Sequence, residues 1–412
     1  MSGVRTRIAN VAKISSGKRP PLIEKEKTAQ CVVPVIGGGG PSGFTLEANE
    51  SAGVLITGRV GTLGKLHVAT EACWPSDNAL IIKPASDEID RSFLRYALSE
   101  VIASATGLNR GAANPLLTQK DLGQLEIAFF PFAEQREIAA ILGALDDKIE
   151  VNRKASATLE EMARALYRSW FVDFDPVWAR LEGRQPAHMD AATAALFPDS
   201  FDDDGLPVGW KTAPYLDLVE IISGGTPKTT VDEYWNGDIP WYSVVDAPAA
   251  GQVFVHSTEK NISQLGFGNS AVKLVPRGTT IISARGTVGK IAMAGGDMVF
   301  NQSCYGLRGK LPETDAFVYF ATERGVEQLQ SMAHGSVFAT ITRKTFQGLD
   351  LAKPPIKLLK AYDASASVWL DRIHAFGLES RTLATLRDTL LPRLMSGELR
   401  VGEARELVEE VA

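Results

Sequence analysis

The sequence predicts an α/β protein: two mixed α/β domains separated by two long helices that pair as an antiparallel coiled coil, with a pseudo-twofold internal repeat. Three observations predict it. Apolar and small residues recur with heptad spacing over one long stretch, the same pattern returns 224 positions later, and a glycine-rich region with short β-like runs precedes each copy. Two seams of matching register in one chain can close on each other, and that intramolecular pairing is the first expectation. Pairing between chains would satisfy the same pattern.

The first seam reads Ile138, Leu142, Leu145, Ile149, Asn152, Ser156, Leu159, Ala163 and Leu166. Steps alternating between four and three residues bury one narrow stripe of a helix against a partner. The outward positions, among them Arg136, Glu137, Asp147, Lys148, Arg153, Lys154 and Glu161, carry charges of both signs, as a solvated face does. Pro131 stands at the entrance, where a missing N–H costs little. A helix of roughly 38 residues would be about 57 Å long. That exceeds a small domain, so it acts as a spacer and needs a partner. Asn152 on the seam can fix register at some cost in stability, or simply mark a polar end of the core.

The partner seam reads Tyr362, Ala366, Trp369, Ile373, Phe376, Ser380, Leu383, Arg387 and Leu390. Flanking words repeat with it. Leu117-Thr118-Gln119-Lys120 becomes Ile341-Thr342-Arg343-Lys344, and Asp147-Lys148-Ile149 becomes Asp371-Arg372-Ile373. The expected divisions are 1–131 and 206–355 for the domains, 132–171 and 356–400 for the helices, 172–205 for an acidic connector, and 401–412 for a tail.

With 412 residues, 45% hydrophobic and 22% charged, the chain has the composition of a soluble globular protein. Met1 to Lys27 is polar and no apolar run reaches membrane-spanning length, so a cytoplasmic protein without membrane contact is expected. Cys31, Cys73 and Cys304 are too few and too far apart for a disulfide framework. The net charge is −6, but residues 171–205 account for that entire excess. Neither domain is acidic, so the overall charge does not exclude DNA, and affinity would come from local patches or a partner protein.

Residues 1–131 contain the β-like runs Val32–Ile36, Val54–Thr57 and Ala79–Ile82 and a helical pattern at about 92–104. Between two of the runs lies Gly58-Arg59-Val60-Gly61-Thr62-Leu63-Gly64-Lys65. Glycines allow close approach to a phosphate, and Arg and Lys supply charge. The nucleotide-binding phosphate loop needs Gly-x4-Gly-Lys-Ser/Thr; Arg59 and Leu66 break that pattern. The second region repeats the loop as Ala284-Arg285-Gly286-Thr287-Val288-Gly289-Lys290, one residue shorter, with Asn301-Gln302 in the place of Asn78. Such loops suit contacts to nucleic-acid backbone and base edges. A hairpin duplicated only for folding would read the same way.

Phe132-Ala133-Glu134-Gln135-Arg136 starts the first helix, Phe171-Val172-Asp173-Phe174-Asp175-Pro176 ends it, and Leu390-Leu391-Pro392-Arg393-Leu394-Met395-Ser396-Gly397-Glu398-Leu399 lies near the C-terminus. Leu206-Pro207-Val208-Gly209-Trp210 opens the second half, followed by Gly224-Gly225-Thr226-Pro227 and Ile239-Pro240-Trp241. With these marks the chain resembles a type I restriction–modification specificity subunit over nearly its whole length.

The resemblance implies two target-recognition domains, each reading half of a bipartite double-stranded DNA target, with the helices setting the gap. It implies no catalysis and no cofactor. Two methyltransferase subunits would use S-adenosylmethionine, and restriction subunits would use ATP and Mg. The candidate DNA-contacting residues are Arg59, Thr62, Lys65, Asn78, Arg110, Lys120, Thr226, Lys228, Arg285, Thr287, Lys290, Asn301, Gln302 and Lys344. The candidate helix and partner interface comprises Glu134, Gln135, Leu145, Ile149, Asn152, Leu159, Trp170, Phe171, Trp369, Ile373, Phe376, Leu383 and Leu390. One departure stands out: Glu134-Gln135-Arg136 maps onto Leu358-Leu359-Lys360, so contacts of the first helix entrance are expected to be missing at the second.

The residues themselves offer no catalytic constellation. His67, His188, His256, His334 and His374 are scattered without metal-ligand spacing. Asn114-Pro115-Leu116-Leu117 resembles an adenine-methyltransferase motif but lacks its second proline and its aromatic residue. Asp202-Asp203-Asp204 suits a solvated linker better than a cation site. Trp170, Phe171, Phe174 and Trp178 form an apolar knot that is either core or a docking surface. A coiled-coil scaffold or antirestriction-like DNA mimic is the competing function, opposed by the near-neutral domains. An enzyme with an unrecognised site is the third.

Overall fold

The computed structural model describes residues 3–60, 63–104, 116–249, 251–333 and 340–410. The chain forms two compact units, one of residues 1–149 with 382–412 and one of residues 150–381. Each unit therefore holds one mixed α/β domain and a portion of both long helices, which run over Phe132–Phe171 and Ile356–Ser396.

In the first unit a four-stranded antiparallel sheet runs in the order Ala12–Ser16, Ala79–Pro84, Leu55–Gly58, Leu66–Val68. A three-stranded sheet places Val33–Gly37 between Gly40–Thr45 and Trp74–Pro75. Val4–Arg7 and Glu126–Phe129 form a separate antiparallel pair leading into the long helix. Strand residues Leu55, Leu80 and Ile82 pack with Phe93, Leu94 and Leu98 of the helix Arg91–Ser104. The same core takes in Ile138, Leu142 and Leu145 from one long helix and Leu383, Leu390 and Leu394 from the other. Asp146 meets Arg387, while Ile138 and Leu394 line one small cavity, so the two helices run antiparallel here. After Ser396 the chain turns into the short helix Val401–Glu409, whose Ala404 is fully buried in this core.

The second unit repeats the plan. A five-stranded sheet runs Val219–Ser223, Cys304–Gly309, Thr280–Ser283, Ile291–Ala294, Phe254–Val255. A three-stranded sheet centres on Trp235–Tyr242, and Lys211–Pro214 pairs with Asp350–Lys353. The helix Asp315–Ala333 packs Phe317 and Phe320 against Tyr167, Phe171 and Tyr362 of the long helices. Asn152 contacts Ser380, and the Tyr362 hydroxyl donates to the Ala163 carbonyl at 3.1 Å, so the helices are antiparallel here too. Pairing within the chain is thus what the seams achieve.

Most seam positions are buried, as their spacing dictates. Ile138, Leu142, Leu145, Asn152, Ser156 and Ala163 are buried, as are Tyr362, Ala366, Ile373, Leu383 and Leu390. Asn152 is 1% exposed; its amide donates to Glu379 Oε2 at 2.9 Å and lies 3.4 Å from Ser380 Oγ. The polar seam residue therefore has a polar partner on the opposite helix. Trp170 and Phe171 are buried among Tyr167, Phe197, Trp210 and Tyr362, so they are core and cannot form a docking surface. The residues from 172 to 205 are more than a connector: Asp175–Leu181 is helical, and Val177 and Phe197 sit in the same core. The Asp202–Asp204 run is a solvated turn, with Asp202 Oδ1 accepting from the Asp204 and Leu206 amides.

The departure at the helix entrances has a structural counterpart. In the first unit Gln135 is fully buried, accepting from the Asp90 amide at 2.9 Å and donating to the Phe130 carbonyl at 2.8 Å. At its equivalent in the second unit stands Leu359, 1% exposed in the apolar core. The polar tie is replaced by burial, and both satisfy the local packing.

Candidate nucleic-acid interface

Of the described sequence-predicted DNA contacts, those on the glycine loops, the turns and the capped helices gather at one edge of each domain, held there by matched hydrogen-bond ladders. In the first domain the Arg59 amide donates to the Asn78 carbonyl at 2.8 Å, and the Leu117 amide donates to the Arg59 carbonyl at 2.8 Å. In the second, the Ala284 amide donates to the Ser303 carbonyl at 2.7 Å, and the Ile341 amide to the Ala284 carbonyl at 3.0 Å. The glycine loop, the turn before the third core strand and the segment leading into Thr118 or Thr342 are thereby laced together. Each threonine then caps a short helix, accepting from the backbone amide three residues on. These caps place Lys120 and Lys344, both exposed, at the same helical position.

The ladder corrects the alignment of the two loops. Thr57 pairs with Leu66 and Ile282 with Ile291, so the loops are of equal length. Lys65 aligns with Lys290 and Gly64 with Gly289, whose φ values of 82° and 88° both lie in the left-handed region that suits glycine. Arg59 consequently aligns with Ala284, and Arg285 with Val60; the two arginines are not counterparts. Asn301 is likewise the counterpart of Ser76. The Ser76 hydroxyl accepts from the Asn78 amide at 3.3 Å, and Asn301 Oδ1 accepts from the Ser303 amide at 3.0 Å. Asn301 thus stabilises its turn, and Asn78 corresponds to Ser303. Gly-Thr-x-Gly-Lys anchors only the far end of the loop, so the sequence alone does not fix the register at its start.

A further segment joins this edge in both domains. Ser16-Gly17-Lys18-Arg19-Pro20 and Ser223-Gly224-Gly225-Thr226-Pro227 follow the first core strand. A Cβ on Gly17 would lie 2.1 Å from the Ser76 carbonyl oxygen, and one on Gly224 2.0 Å from that of Asn301. Only glycine lets the segment run this close to the turn. The Lys18 amide donates to the Pro75 carbonyl at 3.1 Å and the Gly225 amide to the Phe300 carbonyl at 2.9 Å. The next carbonyl is held by an indole in each case: Trp74 Nε1 donates to Lys18 at 2.7 Å, Trp241 Nε1 to Gly225 at 3.0 Å. Trp74 sits opposite Val35 across a parallel strand pair, and Trp241 sits opposite Val299. The same anchor is therefore supplied from opposite members of one cross-strand pair. The shared Ser-Gly-x-x-Pro spelling was the signal that could have located this segment.

Lys65, Asn78, Arg285, Thr287, Lys290 and Gln302 are exposed, and Arg59 is half-buried. Thr226 donates its hydroxyl to Gln302 Oε1. Lys228 is exposed and its carbonyl accepts from Trp235 Nε1 at 3.3 Å. Thr62 and Arg110 lie outside the described residues.

On the helices, Asp146 joins three side chains. Its Oδ2 accepts from the Tyr96 hydroxyl at 2.7 Å and from Arg95 at 2.8 Å, and its Oδ1 from Arg387 at 2.6 Å. Burial opposes its ionisation, but hydrogen bonds from Arg387 and Tyr96 and the nearby guanidinium charges outweigh burial and hold its carboxyl below the usual range. The repeat places Phe320, Leu370 and Ala163 at the equivalent positions of the second unit, so one polar junction has an apolar twin. Ile149, Leu159, Trp369 and Phe376 are half-buried, with the Arg372 guanidinium 4.4 Å over the Phe376 ring. Glu134, also half-buried, lines a small cavity with Leu394 and Leu399.

Two of the scattered histidines do meet. The His256 and His374 rings lie 4.9 Å apart, and His374 Nε2 donates to the Gly295 carbonyl at 2.7 Å. Burial and then the neighbouring His374 push His256 down to about 4, so it is neutral at physiological pH. Among the described residues no group of three or more His, Cys, Asp or Glu is placed to hold a metal. No described helix is long and apolar enough to cross a membrane. All three cysteines are buried and free.

Comparison with known proteins agrees with this duplicated plan. Residues 4–161 and 207–358 each match the family model of the type I restriction modification DNA specificity domain. The specificity subunit of the HindI type I restriction enzyme of Haemophilus influenzae is 27% identical over 335 residues, covering 71% of this chain and 72% of that protein. The EcoprrI specificity subunit of Escherichia coli is 34% identical over 91 residues, 22% of this chain and 21% of that one. The fold is similar to the crystal structure of a type I restriction–modification S subunit from M. genitalium, at a TM-score of 0.58 and 16% identity over 95% of this chain and 96% of that one. With family matches to both halves, each built on the same laced edge, the chain belongs to the type I restriction–modification specificity subunits.

Proposed function

We propose that this chain reads a bipartite double-stranded DNA target, one half per domain, and carries out no chemistry itself. The duplicated edge carries this reading: the same backbone ladder presents Lys65 and Lys120 in one domain and Lys290 and Lys344 in the other. Lysines at fixed positions on two equivalent edges suit phosphates, whose contacts set register without reading sequence. The surrounding side chains differ between the domains, which suits two different half-sites. Near-neutral domains speak against a DNA mimic, which would spread acid over both.

In this proposal two methyltransferase subunits dock on the pseudo-twofold repeat and restriction subunits join them. S-adenosylmethionine, ATP and Mg belong to those partners, and the assembly works in the cytoplasm. Co-expression with the methyltransferase, isolation of the complex and mapping of methylated adenines on genomic DNA test it. A two-part target and a complex with two methyltransferase subunits are expected. A 1:1 complex at saturating partner, or methylation at an undivided site, would overturn the reading.

A further inference from the structure

The two edges share one backbone and differ in what it displays, and that difference points to the residues that choose the bases. Two positions stand out because hydrogen bonds hold the backbone directly beside them. The first follows the carbonyl held by an indole: Arg19 in one domain, Thr226 in the other. The second is the middle residue of the turn capped by Ser76 or Asn301: Asp77 in one domain, Gln302 in the other. The Ala79 amide closes the first turn on the Ser76 carbonyl at 3.0 Å, and the Cys304 amide closes the second on Asn301 at 3.1 Å. The two positions are neighbours, since Gly17 and Gly224, two residues before Arg19 and Thr226, press against those same turns. In the second domain the side chains touch directly, Thr226 donating to Gln302 Oε1.

Resting on the function proposed above, we propose that these pairs are specificity-determining: Arg19 with Asp77 reads a G·C pair in one half-site, and Thr226 with Gln302 reads an A·T pair in the other. Arg19 and Asp77 are exposed and of opposite charge. In the major groove guanine offers two acceptors, N7 and O6, which match a guanidinium, while its partner cytosine offers the N4 donor, which matches a carboxylate. In the second domain the Thr226 hydroxyl fixes the orientation of the Gln302 amide. That bond leaves its two N–H groups and a second Oε1 lone pair unused, a donor beside an acceptor on an exposed residue. Adenine N7 and N6 present the complementary order. Such readout requires side chains hung from a rigid backbone, and the indole and turn bonds supply that rigidity. Lys65 with Lys290 and Lys120 with Lys344, identical in the two domains, cannot distinguish unlike half-sites and fit phosphate contacts.

The test uses the full chain co-expressed with its methyltransferase partner and reads the methylated sequence for wild type, Gln302→Ala, the double variant Thr226→Arg with Gln302→Asp, and Lys290→Ala. Gln302→Ala should lose roughly ten- to hundredfold discrimination at a single A·T pair of one half-site. The double variant should convert that pair to G·C and leave the other half-site alone, whereas Lys290→Ala should lower methylation without changing the sequence. Should the double variant prove unfolded by its thermal transition, Gln302→Ala, which truncates an exposed side chain, decides the matter alone. Unchanged discrimination in Gln302→Ala, or a change in the half-site of the other domain, overturns the assignment. A wild-type chain without a bipartite target would instead reject the underlying function, so the two failures are distinct.

Discussion

Asp363 on the second long helix accepts a hydrogen bond from the Phe317 backbone amide at 3.0 Å, capping the first turn of a helix in the recognition domain. In the first unit the equivalent amide, that of Phe93, is capped from within the domain by Asp90, at 2.9 Å. The cap has thus moved from the domain to the long helix in the second copy, where it ties the two together.

Burial holds the Asp363 carboxyl up to about 6, against 3.8 for the free group, with the side chain only 5% exposed. A carboxyl raised on folding contributes stability that is fully present below 3.8 and is lost as pH rises through about 6. Asp363→Asn keeps the accepting oxygen and removes the titration. Its melting temperature should therefore gain on wild type as pH rises from 4 to 7, by an amount equivalent to at most about 3 kcal/mol. A gap that stays constant over that range would show that Asp363 titrates normally.

Asp146 should behave in the opposite sense, because its carboxyl lies below the ordinary value. Its stabilisation is present above the unfolded value and lost as pH falls below it. Asp146→Ala leaves Arg387 and Arg95 without their shared partner and should cost about 1–3 kcal/mol at pH 7. Importing the second unit's apolar set, Tyr96→Phe with Asp146→Leu and Arg387→Ala, should recover part of that loss. Denaturant unfolding of both variants measures this, and a triple variant less stable than Asp146→Ala would argue against the equivalence of the two junctions.

Gly224→Ala puts a methyl group 2.0 Å from a backbone oxygen that cannot turn aside. Roughly 1–3 kcal/mol of overpacking strain is expected, borne by the segment that displays Thr226. Recognition of one half-site should weaken while the other is kept, as methylation mapping would show. Equal loss at both halves would mean that the damage is global.

Lys65→Ala and Lys290→Ala should each lower the salt slope of DNA binding by about one ion and leave sequence preference unaltered. A salt titration of the assembled complex checks this, and slopes identical to wild type would leave these loops with a folding role alone.

The helices were legible in the sequence because a heptad seam is a local, periodic signal, and Asn152 and Ser380, both seam positions, do meet. The strands around Leu55 and Leu80 were legible as short apolar runs, and the duplicated loop as a repeated word. What escaped depends on contacts distant in sequence. The loop register is set by pairing Thr57 with Leu66 and Ile282 with Ile291, and no spelling announces it. His256 and His374 are far apart in the chain, and glycines at 377 and 295 leave room for the His256 ring, to which a Cβ would come within 2.3 Å and 3.0 Å. Arg19 and Asp77 sit in no motif; the backbone of Gly17 and the Trp74 indole bring them to the edge.

The central claim is that each domain reads its own half of one DNA target. Exchanging residues 206–355 for the corresponding domain of another specificity subunit, followed by genome-wide mapping of methylated adenines, measures it most directly. The account predicts a hybrid target in which the half assigned to the new domain changes and the other half stays as it was. Change in both halves, or in neither, would contradict it.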